Sequence, residues 1–170
     1  MPRVNVIDSV AVGFDASDES KTALRWAASL AATTDASLKV VHAVGLLEHA
    51  RLSGNVDLYQ DVVRAVAVDA GMEPSAVEWL VIDGDPCSVL LRMIEEPYSV
   101  DLIVVGTRGS GKHSSTLLGS TSLELVEHSS VPVVVVPFPD LRNQPDPYAG
   151  PYRDEGKGPS GSSGVQRPRP

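Results

Sequence analysis

The sequence predicts an α/β protein: a doubly wound, five-stranded parallel sheet with helices on both faces. Three observations carry that prediction. Short apolar runs recur five times along residues 9–137, and between most of them lie segments with helical spacing. Parallel neighbours need crossovers, and right-handed crossovers place helices on both faces of the sheet. The third observation is the stretch DLIVVGTRGSGKHSSTLLGSTS, residues 101–122, where an apolar run breaks at Gly106 and helix-like sequence returns only after Gly119-Ser120. A strand, a glycine-rich loop and a helix start form an anion-binding arrangement. Glycines let backbone N–H groups approach a phosphate, and the unpaired first amides of a helix favour negative charge.

Taken in order, Ser9–Phe14 reads as a buried strand that stops at Asp15-Ala16-Ser17, whose short polar side chains favour a helix cap. The first helix follows, from about Asp18 to Ala32. Asp18 and Glu19 suit the positive end of its dipole, and Ala23, Leu24, Trp26, Ala27, Leu30 and Ala31 make one apolar face. Ser37–Val44 is the second strand, and Ser53-Gly54-Asn55 a loop. Asp57–Ala70 has the composition of a helix, with Gly71 at its C-terminal stop. Ala76–Ile82 is the third strand. Asp83-Gly84-Asp85-Pro86 turns the chain into a helix that runs to about Glu96, where Pro97 ends it. Asp101–Val105 is the fourth strand, Ser120 to His128 the last helix, and Val131–Pro137 the closing strand. Ligands of such sheets bind beyond the carboxyl ends of the strands, so Asp15, Ala43, Gly84 and Gly106 lie on one rim.

Composition narrows the function. The 170 residues suit one domain, 1–140, followed by a tail, 141–170, with six prolines and five glycines and almost no aliphatic side chains, predicted to be disordered. The formal charge is −8, and residues 1–140 hold nine Lys/Arg against nineteen Asp/Glu. That surface disfavours nucleic acid and anionic lipid, yet permits a small anion held by backbone amides. No apolar run approaches the ~20 residues of a membrane span, the first residues lack a secretory apolar region, and the single cysteine, Cys87, fits a reducing compartment. The expectation is a cytoplasmic protein without a membrane or nucleic-acid partner.

Two templates compete for the glycine loop. Gly106 to Lys112 matches the first seven positions of GxxxxGK[ST], but His113 stands where a hydroxyl should hold Mg²⁺. The second template is Gly106-x2-Gly109-x9-Gly119-Ser120. With it the chain resembles the nucleotide-binding type of the universal stress protein family. Val10–Ser17 resembles that family's first strand and its following turn, Trp26-Ala27 its first helix, Val41-His42-Ala43 its second strand, Gly84-Asp85-Pro86 its G-x-P loop, and Val131–Pro137 its closing strand. The resemblance covers residues 8–138.

It implies a Rossmann-like fold and an ATP site with Mg²⁺. Asp15 would lie near the adenosine, Ala43 would present backbone to the adenine, and Val105 would sit close to the ribose. Gly13 is counted among the nucleotide positions as well. Gly106, Arg108 and Gly109 would form the first half of a phosphate cradle, and Gly119, Ser120 and Thr121 the second half. Ala16 departs from the glycine common after the Asp, and because Ala tolerates positive φ poorly the turn is expected to alter slightly. A homodimer through Val131–Val136 is also implied, which would cover a β-branched edge strand.

Plainer readings stand beside these. Asp15 alone is as much a helix cap as a ligand contact, and Arg108 a solvated loop charge. Thr121 and Glu124 have capping-box spacing, which makes Glu124 a cap rather than a base. His42 and His128 read as structural, Cys87 as buried, and Lys112 and His113 as loop residues. The residues show no paired base and nucleophile. A stress-response regulatory module that binds ATP is therefore favoured over a slow ATP-hydrolysing enzyme, and over a dimeric signalling module without nucleotide.

Overall fold

The structure is a computed structural model, and it describes residues 6–45, 56–107 and 118–138. Five strands form one parallel sheet: β1 (Ser9–Gly13), β2 (Ser37–Val44), β3 (Val77–Asp83), β4 (Leu102–Gly106) and β5 (Val133–Val136). Their spatial order is β3-β2-β1-β4-β5. The chain therefore winds outward in one direction from β1 to β3, then returns to start β4 on the other side of β1. That reversal is the topological switch point, and in open α/β sheets it opens a crevice at the carboxyl ends of the two central strands.

Among the described residues, four α-helices accompany the strands: α1 (Asp18–Thr34), α2 (Val56–Asp69), α3 (Pro86–Arg92) and α4 (Ser120–His128). The period-2 alternation of the strands sorts side chains to the two faces. Val10, Val12, Leu38, Val40, Leu102 and Val104 pack with Ala23, Leu24 and Ala27 of α1 and Val63 and Ala67 of α2. Ala11, Val41, Ile103 and Val105 pack on the opposite face with Val89 and Leu90 of α3 and Leu125 of α4. The central strands β1 and β4 are buried almost throughout, whereas the edge strands β3 and β5 are largely half-buried. This is why the central runs read as uninterrupted apolar sequence.

Local chemistry sets the helix ends. The Ser17 hydroxyl caps α1 by accepting from the Ser20 amide at 3.1 Å, and Asp35 closes the helix in the left-handed conformation at φ 57°. Gly71 ends α2 at φ 82°: its amide bonds the Val68 carbonyl while the Met72 amide bonds that of Ala67, the paired arrangement of a glycine stop. Asp85 caps α3 by accepting from the Ser88 amide at 3.0 Å, with Pro86 in the first turn.

Four expectations need correction. Trp26 is 41% exposed, so the apolar face of α1 is carried by alanines and Leu24 without it. The third strand starts at Val77 because Pro74–Ala76 forms a turn of 3₁₀ helix. The helix expected to reach Glu96 ends at Arg92, where the amides of Met93, Ile94 and Glu95 switch to bonds three residues back. Ala16 sits at φ 65°, so the turn keeps the geometry that suits glycine and alanine bears the strain. The loop expected at Ser53-Gly54-Asn55 and the tail 141–170 lie outside the described residues.

Replacing Ala16 by Gly removes a Cβ from a left-handed position. It should therefore stabilise the fold by about 0.5–1 kcal/mol, net of glycine's larger entropy loss. Thermal unfolding would show this as a higher midpoint, and a lower midpoint would mean that the alanine methyl matters more in packing than in strain.

Candidate functional site

The candidate site is the carboxyl rim around the switch point, and it is built from backbone. Gly13 ends β1 beside Val105 of β4; a Cβ placed on Gly13 would meet Val105 Cγ1 at 3.4 Å and Leu90 Cδ1 at 3.1 Å. The chain then turns at Phe14–Ser17 into α1. In that turn the Asp15 carboxylate accepts from the Ser17 amide at 3.0 Å and from the Ser17 hydroxyl at 2.5 Å. Ser20, buried in the first turn of α1, donates its hydroxyl to the Ser17 carbonyl at 3.0 Å and accepts from the Asp15 amide at 3.3 Å. Asp15 is thus an organiser of its own turn, while the helix cap itself is Ser17.

The second wall is the end of β4. A Cβ on Gly106 would lie 2.9 Å from the backbone carbon and oxygen of Glu19, so a glycine is required there for α1 to approach the strand. The chain leaves β4 at Thr107 and is described again from Leu118. Its two ends are joined. The Gly119 amide donates to the Thr107 carbonyl at 2.7 Å, and the buried Ser122 hydroxyl donates to the Gly106 carbonyl at 2.9 Å. The Thr107 amide is tied to the Val136 carbonyl of β5 at 3.2 Å. The start of α4 is thereby held against the end of β4.

Helix α4 differs chemically from α1 and α3 at its N-terminus. Its N-cap is Gly119, which brings no capping side chain, and its first turn, like that of α3, carries no acidic residue. The expected capping box of Thr121 and Glu124 is accordingly absent, because the N-cap falls two residues before Thr121, at Gly119. Such a terminus leaves its first amides for a negatively charged group. Glu124 instead lies beside Cys87 at the start of α3. Burial, and next the Glu124 charge and hydrogen bond, push the Cys87 thiol above its ordinary range, so the thiolate is disfavoured.

Of the ten residues expected in the site, Gly13, Asp15, Val105, Gly106, Gly119, Ser120 and Thr121 fall on the two central strand ends and the start of α4. Ala43 lies one strand over, near the end of β2, in register with Ile82 of β3. Val105 is only 5% exposed and its side chain packs into the core, so backbone is what it offers a ligand. Arg108 and Gly109 lie outside the described residues, as do Lys112 and His113. Ser20 and Ser122 were not singled out by sequence, although each is a polar residue at an inward position of a helix first turn, three residues before the buried Ala23 and Leu125.

Comparison with known proteins follows the same lines. The description of the universal stress protein family matches residues 7–137. A universal stress protein of Mycolicibacterium smegmatis is 32% identical over 138 residues, covering 75% of this chain and 47% of the relative. This chain spans about half the length of that protein. A stress response protein of Bacillus subtilis, NhaX, is 25% identical over 162 residues, covering 76% and 97%. Among solved structures, a universal stress protein in complex with cAMP is 28% identical with a TM-score of 0.61, covering 77% of this chain and 97% of that one. UspA of Lactobacillus plantarum, 21% identical with a TM-score of 0.62 and coverage of 76% and 97%, shares the fold.

Ser122→Ala leaves the Gly106 carbonyl without its buried donor. It should lower stability by about 1–2 kcal/mol in denaturant titration, the usual cost of such a loss. No change in midpoint would show that the hydroxyl does not hold the two loop ends.

Proposed function

The chain belongs to the universal stress protein family, and from that premise we propose that it is an ATP-binding stress-response module whose nucleotide occupancy tunes its conformation or its partners. One observation carries this reading: the uncapped start of α4 is held by two hydrogen bonds against the end of β4 at the switch point. A triphosphate needs amides rather than a basic pocket here, because the folded part of the chain is strongly acidic. The amides of Ser120 and Thr121 and the Ser120 hydroxyl supply donors on one side, and Gly106, Arg108 and Gly109 the other half of the cradle. Asp15, Gly13 and Ala43 take the adenosine end.

Mg²⁺ would accompany the triphosphate and neutralise part of its charge. The protein's own contribution is to orient the phosphates through fixed backbone dipoles. The cAMP complex of a relative supports an adenine nucleotide as ligand. Among the described residues no helix is long and apolar enough to cross a membrane, and a cytoplasmic site of action is part of the proposal.

Calorimetric titration with Mg²⁺ and ATP, ADP, AMP or cAMP tests the reading, with released phosphate followed in parallel. Binding of ATP without phosphate above the no-protein control is the expected result. Absence of binding at millimolar ATP would overturn it, and sustained phosphate release would make the protein an ATPase. Gly109→Val should abolish binding and leave the thermal transition nearly unchanged; normal binding by that variant would remove the cradle.

A homodimer through Val131–Val136 completes the proposal. β5 is an edge strand, and Val133, Val134 and Val135 are all half-buried on it, an apolar edge that pairing with a second copy would cover. Val134→Lys, verified as folded by its thermal transition, should sediment as a monomer. A persisting dimer would place the contact elsewhere.

A further inference from the structure

Four polar side chains are buried among the described residues: Ser9, Ser20, His42 and Ser122. Ser20 and Ser122 hold backbone of the rim, and His42 does the same from β2. Its Nδ1 lies 2.6 Å from the Phe14 carbonyl oxygen. A carbonyl only accepts, so Nδ1 must carry the proton. The imidazole is held in that pose by aromatic rings, stacked on Trp79 at 5.9 Å and 16° and edge-on to Tyr59 at 5.6 Å. Phe14 itself meets Tyr59 and Trp79 edge-on at 6.1 and 5.8 Å.

The Phe14 carbonyl and the Asp15 amide belong to one peptide unit. His42 binds its oxygen and the Ser20 hydroxyl accepts from its N–H, so side chains from β2 and α1 grip that unit at both ends. The Phe14 amide is in turn bonded to the Val41 carbonyl of β2 at 2.9 Å. From this juxtaposition we infer that His42 is a positioning residue that fixes where Asp15 is presented at the rim. His42 precedes Ala43 directly, so it also registers Asp15 and Ala43, two of the proposed adenosine-side residues, to each other across neighbouring strands. A residue that only filled the core at this point would need no donor, and the other buried residues on this face of β2, Leu38, Val40 and Val44, are aliphatic.

The effect on ligand affinity rests on the nucleotide reading; the positioning of Asp15 does not. His42→Phe keeps a stacking ring and removes the donor, and His42→Asn restores an N–H attached at the same carbon. In ATP titrations H42F should bind about tenfold more weakly, the loss of one buried hydrogen bond, and H42N should recover most of that. In the nucleotide-free protein, exchange of the Ser17 amide, which donates to Asp15, should rise at least about tenfold in H42F with that of Val104 unchanged. Wild-type exchange and affinity in H42F would overturn the inference. Should the wild type bind no ATP, the proposed function falls, and the exchange comparison alone still decides this one. Should H42F fail to fold, the ring nitrogen spectrum of the wild type decides: a proton on Nδ1 supports the assignment, and a ring protonated only at Nε2 overturns it.

Discussion

A buried hydroxyl or imidazole has to find a hydrogen-bond partner, and for Ser20, His42 and Ser122 that obligation is met by backbone at the mouth of the sheet. Ser122 reaches the Gly106 carbonyl, Ser20 the Ser17 carbonyl and the Asp15 amide, and His42 the Phe14 carbonyl. The ends of β1 and β4, the two strands that flank the switch point, are each tied to the helix that follows. The long span between Thr107 and Leu118 begins and ends at a joined base.

The glycines gain a more precise meaning in this setting. Gly106 is forced by packing, because α1 passes so close that any Cβ would strike the Glu19 backbone. Gly119 occupies an N-cap position where a serine or aspartate would turn a side chain onto the free amides. One glycine lets a helix approach, and the other keeps a helix end available. Ala16 shows the opposite case, a position whose φ suits glycine but which alanine occupies under strain.

The architecture was legible because its signals are long and redundant. Five apolar runs, separated by helical spacing and glycine stops such as Gly71, leave few alternatives. Boundaries were less legible: the helix after Pro86 tightens into three-residue bonds at Met93, a change that no residue type announces. The helical spacing of the apolar residues puts Trp26 with them on one face, yet the alanines around it let α1 pack without it. The capping box at Thr121 followed a correct rule at the wrong residue, since Gly119 can cap through conformation alone. For the site, the glycine spacing located the rim, but the side chains that fix it were hidden. Ser20 and Ser122 look like ordinary first-turn serines until their inward direction is known, and the partner of His42 lies 28 residues away in sequence.

The nucleotide function proposed for this chain would sit at this rim, and the hydrogen bonds there shape the rim before any ligand arrives. Backbone donors fixed in advance need no reorganisation on binding. The most direct measurement is hydrogen exchange of the Gly119 amide in the protein free of nucleotide. The account predicts protection like that of β4 amides such as Val104, because the bond to the Thr107 carbonyl closes the loop by itself. Exchange at the rate of an open loop, with protection appearing only when ATP is added, would contradict it.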